Sequence, residues 1–148
     1  MDERIKTLAY NLVNYSCRLQ AGEKVWISCN GVHPLPLVKQ IIKEVYKVGA
    51  TPFVKMMTNS LEREILLGAT EEQQKMMAEA DCLLMKQMDA FIGVRGEDNL
   101  TEQYDIPTEK LDIQNIFYDD PVHHQIRVPH TKWVVLRYPT NAMAQSAK

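Results

Sequence analysis

The sequence is poor in the features that mark several classes of protein. It has only three cysteines, Cys17, Cys29 and Cys82, and no two of them form a CxxC pair. This odd number argues against a disulfide framework or a zinc knuckle and favours a reducing compartment. No apolar run approaches the roughly 18–20 residues that span a bilayer, and no apolar signal segment follows the charged first residues. We therefore expect a cytoplasmic protein that does not bind membranes.

Neither sign of charge dominates. The 17 basic and 19 acidic side chains give a formal net charge of -2, and they are mixed along the chain. A nucleic-acid-binding surface needs concentrated positive charge, so we expect no nucleic-acid partner. The motifs HExxH, GxSxG, GxGxxG and GxxxxGK[ST] are also missing. What remains is a chain of 148 residues, 45% of them hydrophobic, which is one domain with enough apolar residues for a core.

Helices and strands alternate along this chain. Apolar residues at helical spacing predict a helix over residues 2–20, and a second helix begins at Pro34 and ends at Gly49. Two more are predicted over 60–67 and from Thr70, where Thr-x-x-Gln is the spacing of a capping box. Short runs of β-forming residues predict strands over 24–29, 52–57, 90–94 and 133–138.

The remaining segments have weaker patterns. Residues 95–107 are polar and are predicted to form a loop, and residues 139–140 a turn. The segment 108–128 is the least clear, with one helix around 111–117 and another after Pro121. Residues 141–148 have the pattern of a helix that has just begun.

The alternation of strands and helices predicts an α/β fold. We expect three layers: a mainly parallel sheet of four to five strands with helices on both faces, as in Rossmann-like and flavodoxin-like domains. The first strand is a continuous apolar run, which is typical of a strand that is covered on both faces.

Polar residues follow the predicted strands. In an open parallel sheet, ligands gather beyond the carboxyl ends of the strands. These residues are expected to line a cleft or an interdomain contact, with solvated loops as the alternative. Arg95 and Glu97 are the first side chains to test, and the full set of candidates is Arg95, Glu97, Asn99, Tyr138 and Thr140.

One cluster, at residues 119–124, has metal-binding residue types. Asp120 and His124 are four residues apart, so a helix would carry them on one face. A metal site needs three or four ligands with supporting residues. Pro121 interrupts the segment, and no second carboxylate–histidine pair lies near. We therefore interpret the cluster as a solvated loop and predict no metal site there.

Several motifs, in their order and spacing, resemble the family of aminopeptidases T and S. Residues 13–16 (VNYS) and 22–25 (GEKV) are similar to the end of its first helix and the entry to its first strand. Residues 49–52 (GATP) resemble its step into the second strand, and residues 90–99 its third strand with the following Asn. Residues 133–147 resemble a segment with the pattern W…YPT-x-A-x-AQ-x-A.

The resemblance implies a function and a domain organisation. Members of this family are metallo-aminopeptidases that remove amino-terminal residues from peptides with a pair of divalent ions, of the zinc or cobalt type. Their metal ligands lie in a carboxyl-terminal domain, which this chain does not include. Residues 1–148 would then be an amino-terminal domain without catalytic, cofactor-binding or metal-binding residues. Its partners would be its own carboxyl-terminal catalytic domain, a second subunit in a homodimer, and peptide substrates.

The residues alone leave two alternatives open. One is a stand-alone Rossmann-like or flavodoxin-like module that binds a small ligand at the polar edge of the sheet. The missing phosphate-binding loop argues against a nucleotide there. The other is a structural dimerisation domain, which is compatible with the aminopeptidase interpretation.

Overall fold

The computed structural model describes residues 2–96 and 105–138. Within these ranges, four strands form one sheet in the order β2-β1-β3-β4, and all neighbouring strands are parallel. This confirms the predicted α/β class with a parallel sheet. The strands are β1 (Lys24–Asn30), β2 (Thr51–Met57), β3 (Ala90–Arg95) and β4 (Lys132–Arg137).

The helices occupy most of the rest of the described chain. Two segments have the wider π-helical turn: Leu12–Ser16 continues the first helix, and Asn115–Arg127, called the wide helix below, joins the fifth helix to the sixth. The regular helices are α1 (Glu3–Asn11), α2 (Leu35–Lys47), α3 (Asn59–Leu67), α4 (Glu71–Met85), α5 (Thr108–Gln114) and α6 (Val128–His130).

The first face of the sheet is covered by α1 and α2. Side chains of a strand point alternately to opposite faces, and on this face Val25, Ile27 and Ile92 are fully buried. They pack with Leu37 and Ile41 of α2, and α1 packs beside α2. Each large apolar side chain that leaves water in this way contributes about 1.5–3 kcal/mol.

The second face is covered by α4 and the wide helix, which completes the three predicted layers. Trp26 of β1 and Phe91 of β3 lie on this face. They belong to a buried cluster with Met85 of α4 and with Val122 and Ile126 of the wide helix. This second layer forms one wall of the cavity described below.

The structure corrects the interpretation of residues 119–124 as a loop, because Asp120, Pro121 and His124 lie inside the wide helix. Proline has no N–H and cannot continue an α-helix regularly, and the backbone here takes a wider turn. The N–H of Val128 donates to the carbonyl of His123, five residues earlier. Buried Val122 and Ile126 attach this helix to the sheet side of the domain, a tertiary contact that the local pattern does not show.

Two other predicted boundaries differ in detail. The first helical region ends at Ser16 instead of residue 20, and Arg18 follows with a positive φ of 44°. Arg95, which was assigned to a loop, is the last residue of β3. The predicted turn at 139–140 and the helix at 141–148 lie outside the described residues.

Thr70 begins α4 as the sequence indicates, and replacing it should weaken the domain. Its hydroxyl accepts a hydrogen bond from the backbone N–H of Gln73 at 3.1 Å. We expect Thr70→Ala to lower the free energy of unfolding by about 1 kcal/mol, since a backbone donor loses its partner. Urea denaturation measures this change. Thr70→Ser keeps the hydroxyl and should stay within about 0.5 kcal/mol of the wild type; an equal loss in both variants would contradict the capping role.

Candidate functional site

A cavity of about 620 Å³ lies on the second face of the sheet, between the strands and the helices α3, α4 and the wide helix. The strands β1 and β3 are neighbours, but β1 connects to β2 over the first face of the sheet and β3 connects to β4 over the second face. Open α/β sheets bind ligands at such a switch point. Gly93 lies in the floor, where a Cβ atom would come within 3.0 Å of the Phe91 ring. The floor residues from β1 and β3 are Trp26, Ser28, Asn30, Phe91, Gly93 and Arg95.

Arg127 of the wide helix is the main cation of the cavity wall. Its Cζ lies 4.8 Å from the ring centroid of Phe91 and 5.0 Å from that of Trp133, both within cation–π range. Its Nε donates to Nδ1 of His123 at 2.8 Å. Its Nη1 is buried and has no hydrogen-bond partner within residues 2–96 and 105–138. Burial, and then the charge of Arg95, lower the pKa of Arg127, but a guanidinium remains charged near neutral pH.

His123 is the neutral partner of this arginine. Burial, followed by the positive charges of Arg127 and His124, lowers the pKa of His123 to about 4. The imidazole is therefore uncharged at neutral pH, and its Nδ1 is able to accept the N–H of Arg127. The ring makes edge-to-face contacts with Phe91 at 5.8 Å and with Tyr118 at 6.0 Å between centroids.

The acidic side chains of the cavity fall into two groups. Asp81 is already paired: the Tyr118 hydroxyl donates to its Oδ2 at 2.5 Å, and Lys55 Nζ lies 3.7 Å from its Oδ1. Burial, and then the hydrogen bond to Asp81, raise the pKa of Tyr118. Asp119 is different, because burial and then the charge of Glu62 raise its pKa. Its carboxylate thus lies in a setting that disfavours negative charge.

Asn30 closes the cavity where β1 ends. Its backbone carbonyl accepts the N–H of Gly96 at 2.8 Å, which ties the end of β1 to the end of β3. A side chain at position 96 would not fit, since a Cβ there would lie 2.6 Å from Pro34 Cγ. The side-chain Oδ1 of Asn30 is buried, and no donor reaches it from the described part of the chain.

Only part of the set proposed from sequence can be placed. Arg95 is exposed, ends β3 and lines the cavity. Tyr138 is partly buried and packs against the core on the first face; its N–H donates to the Arg95 carbonyl at 2.6 Å. The role of these two residues stays a prediction. Glu97, Asn99 and Thr140 lie outside the described residues.

Sequence reasoning missed most of the charged wall. Asp119, His123 and Arg127 follow one another at intervals of four residues, and buried Val122 and Ile126 lie between them. This spacing is the signal of a helix with one polar line facing a cavity, but Pro121 hid it. Asp81 carried no local signal, because its partners are 26 and 37 residues away.

The described residues do not form a metal centre. No group of three or more His, Cys, Asp or Glu side chains in residues 2–96 and 105–138 is arranged to hold a metal ion. The Asp120–His124 pair, with 3.6 Å between Oδ1 and Nδ1, is exposed and supplies only two donors. In the same ranges, no helix has the length and apolar character required to cross a bilayer.

The fold and the position of the cavity define a three-layer α/β domain with flavodoxin-like strand order. The family model of the thermophilic metalloproteases (M29) matches residues 1–147, so the chain belongs to this family. This match confirms the resemblance to the aminopeptidase T family that the sequence motifs carry.

A solved structure shares the fold. Wild-type AmpT from Thermus thermophilus matches with a TM-score of 0.71 at 19% identity, over 93% of this chain and 36% of that one. The chain thus spans about a third of the AmpT chain. A putative transcription repressor of the LacI family from Corynebacterium glutamicum matches at a TM-score of only 0.37 and 10% identity, over 90% of this chain and 59% of that one. No curated protein matches the chain significantly.

Proposed function

We propose that this chain forms the non-catalytic amino-terminal domain of a metal-dependent aminopeptidase, which removes amino-terminal residues from peptides in the cytoplasm. The match of the metalloprotease family model to residues 1–147 carries this proposal. The correspondence to 36% of AmpT supports it, because the chain aligns with one part of a larger protein of that fold.

The metal centre is assigned to polypeptide outside this chain. Two divalent ions of the zinc or cobalt type would need several carboxylate and histidine ligands. The described residues do not supply such a set: Asp81 is held by Tyr118 and Lys55, and Asp120 lies beside His124 and Gln125. The steps of peptide hydrolysis are therefore assigned to that other polypeptide. Its proposed partners are its own carboxyl-terminal catalytic domain and a second subunit in a homodimer.

Hydrolysis of an aminoacyl amide such as leucyl-aminomethylcoumarin tests this assignment. The 148-residue chain should give no turnover above background with Zn²⁺ or Co²⁺, because residues 2–96 and 105–138 form no group of three or more side chains that could hold a metal ion. A polypeptide that continues into the proposed catalytic domain should be active, lose activity on chelation, and regain it when metal is returned. Metal-dependent turnover by the 148-residue chain would contradict the non-catalytic assignment.

A matched variant tests the Asp120–His124 pair within the longer polypeptide. Asp120→Asn removes the charge from the carboxylate of this pair and keeps its shape. Because the pair is exposed and has only two donors, we expect kcat/KM and the metal requirement to stay at the wild-type values. A large loss of activity that extra metal restores would instead make Asp120 a ligand and overturn our placement of the centre.

A further inference from the structure

The helix α3 forms one wall of the cavity but belongs to neither of the two core clusters. These clusters join α1, α2, α4 and the wide helix to the sheet, and no residue of α3, which is described throughout, is among their members. Of its residues only Leu66 is buried, whereas Leu61 is 60% exposed and Leu67 37%. Local stability falls where few apolar side chains are buried. We therefore expect α3 to be held less firmly than α4 and the wide helix.

Polar contacts join α3 to the chain around α5. The guanidinium of Arg63 pairs with the carboxylate of Asp105, and its Nη2 donates to Oδ2 at 2.9 Å. These hydrogen bonds from Arg63 lower the pKa of Asp105. In addition, Nε2 of Gln114 donates to Oε1 of Glu62 at 2.9 Å. Because Glu62 and Arg63 are neighbours in the sequence, both links act on the same turn of α3.

The chain is held on either side of α3 and is loosely packed where the helix ends. At the amino end, the Thr58 hydroxyl caps the helix and β2 precedes it. Beyond the carboxyl end, Ala69 is buried, and its carbonyl accepts a hydrogen bond from Lys110 Nζ at 2.9 Å. Gly68 lies between, and a Cβ atom built on it would meet no described atom within 4 Å. Residues 58–68 are therefore a capped unit between two fixed points.

The closed position of α3 is favoured mainly by one buried side chain. Closure buries Leu66, which is only 1% exposed, and this apolar contact opposes opening. The ion pair of Arg63 with Asp105 contributes less, because the Asp105 side chain is 71% exposed. Ion pairs in contact with water are weak and are screened by salt. An open form is therefore a minor population, and its share should rise with ionic strength.

We propose that α3 is a hinged cover of the cavity, which opens at residues 58 and 68 while the sheet, α4 and the wide helix stay packed. The links to Asp105 and Gln114 hold it shut. Three side chains of α3 line the cavity, so opening widens the entrance for a solute. The cover is built from this chain's own residues and does not depend on the proposed peptidase activity.

Distances between spin labels on α3 and α4 test this motion in the 148-residue chain. Leu61→Cys and Leu83→Cys place the two labels at positions that are 60% and 68% exposed. Cys82→Ser removes the native thiol that is partly accessible, since Cys17 and Cys29 are buried. Double electron–electron resonance should give one main distance for the closed form and a minor, longer distance for the open form.

Three variants change the two contributions to closure and provide a control. Arg63→Gln should raise the open population about threefold, because it removes the ion pair. Leu66→Ala should raise it about tenfold or more, because closure then buries less apolar surface. Lys75→Gln also removes a positive charge, from an exposed ion pair with Glu71 on α4, and should keep the wild-type distances. Salt at about 1 M should affect the wild type as Arg63→Gln does.

Three results would overturn the proposal. The first is a single distance that Arg63→Gln, Leu66→Ala and salt all leave unchanged, since α3 would then be a fixed wall. The second is an equal effect of Lys75→Gln. The third is a broadened distance between Tyr46→Cys on α2 and Leu83→Cys when Arg63 is replaced, since the whole domain would then loosen. The hydrolysis assay decides the peptidase proposal separately, so either proposal can fail without the other.

Discussion

Phe91→Ala is expected to lower the free energy of unfolding by about 3–5 kcal/mol, the range for removal of a large buried aromatic side chain. Phe91 is only 5% exposed and belongs to the buried cluster on the second face of the sheet. Its ring contacts Trp26, His123 and the guanidinium of Arg127. The alanine would leave a void beside the cavity and would remove one of the two rings that hold Arg127.

Chemical and thermal denaturation of the wild type and of Phe91→Ala measure this loss of stability. A domain of this size loses about 2–4 °C of thermal midpoint for each kcal/mol, so the midpoint should fall by about 10 °C. Phe117→Ala is the matched control. Phe117 is only partly buried and its ring meets Lys75, so its loss should cost about 1 kcal/mol. Equal losses at the two positions would show that Phe91 does not anchor the wide helix to the sheet.

Acidification from about pH 6.5 to 4 is expected to destabilise the domain through His123. The folded pKa of His123 is lowered to about 4 by burial and by the charges of Arg127 and His124, whereas an unfolded histidine has a pKa of about 6.5. Above pH 6.5 the side chain is neutral in both states. As the pH falls through this window, only the unfolded chain gains the proton, so stability is lost.

The size of this loss follows from the two pKa values. The difference between about 4 and 6.5 corresponds to at most about 3 kcal/mol. His123 is partly exposed, so solvent screening reduces the expected loss to about 2 kcal/mol. A comparison of His123→Gln with the wild type isolates the contribution of His123. Between pH 6.5 and 4, the free energy of unfolding of the variant should fall by about 2 kcal/mol less than that of the wild type.

Two controls keep the pH experiment specific. His130→Gln removes an exposed histidine of α6 and should leave the wild-type slope unchanged. Asp119 acts with the opposite sign, because burial and the charge of Glu62 raise its pKa. Its contribution to the stability of the fold is therefore lost as the pH rises through the raised pKa. Both proteins contain Asp119, so its effect cancels in the difference. An identical slope in wild type and His123→Gln would show that His123 is not buried as a neutral group.

The sequence was sufficient for the elements that carry a strong local signal. The continuous apolar run of β1 predicted a strand that is covered on both faces, and its residues are buried in the core clusters of both faces. Pro34 at the start of α2 and Thr70 at the start of α4 marked those helices correctly. The ordered motifs at 13–16, 22–25 and 49–52 led to the family that the match over residues 1–147 confirms.

The candidate site was only partly visible in the sequence. The rule that ligands gather at the carboxyl ends of parallel strands pointed to Arg95, which does line the cavity. It did not find Asn30 Oδ1 or Arg127 Nη1, because the lack of a partner is a property of the packed chain. The sequence pattern around Pro121 indicated a loop, but this proline lies inside the wide helix, although proline usually ends a helix.

The sequence by itself therefore determined the α/β class, the parallel sheet and the family, because periodicity, capping and motif order are local properties of the chain. Only the tertiary structure decided which charged groups meet. Asp81 meets Tyr118 and Lys55, and Arg127 meets Phe91 and Trp133. Asp119 feels the charges of Glu62, His124 and Arg127. Charge–charge interactions and desolvation depend on distance and burial in space, which the order of residues along the chain does not fix.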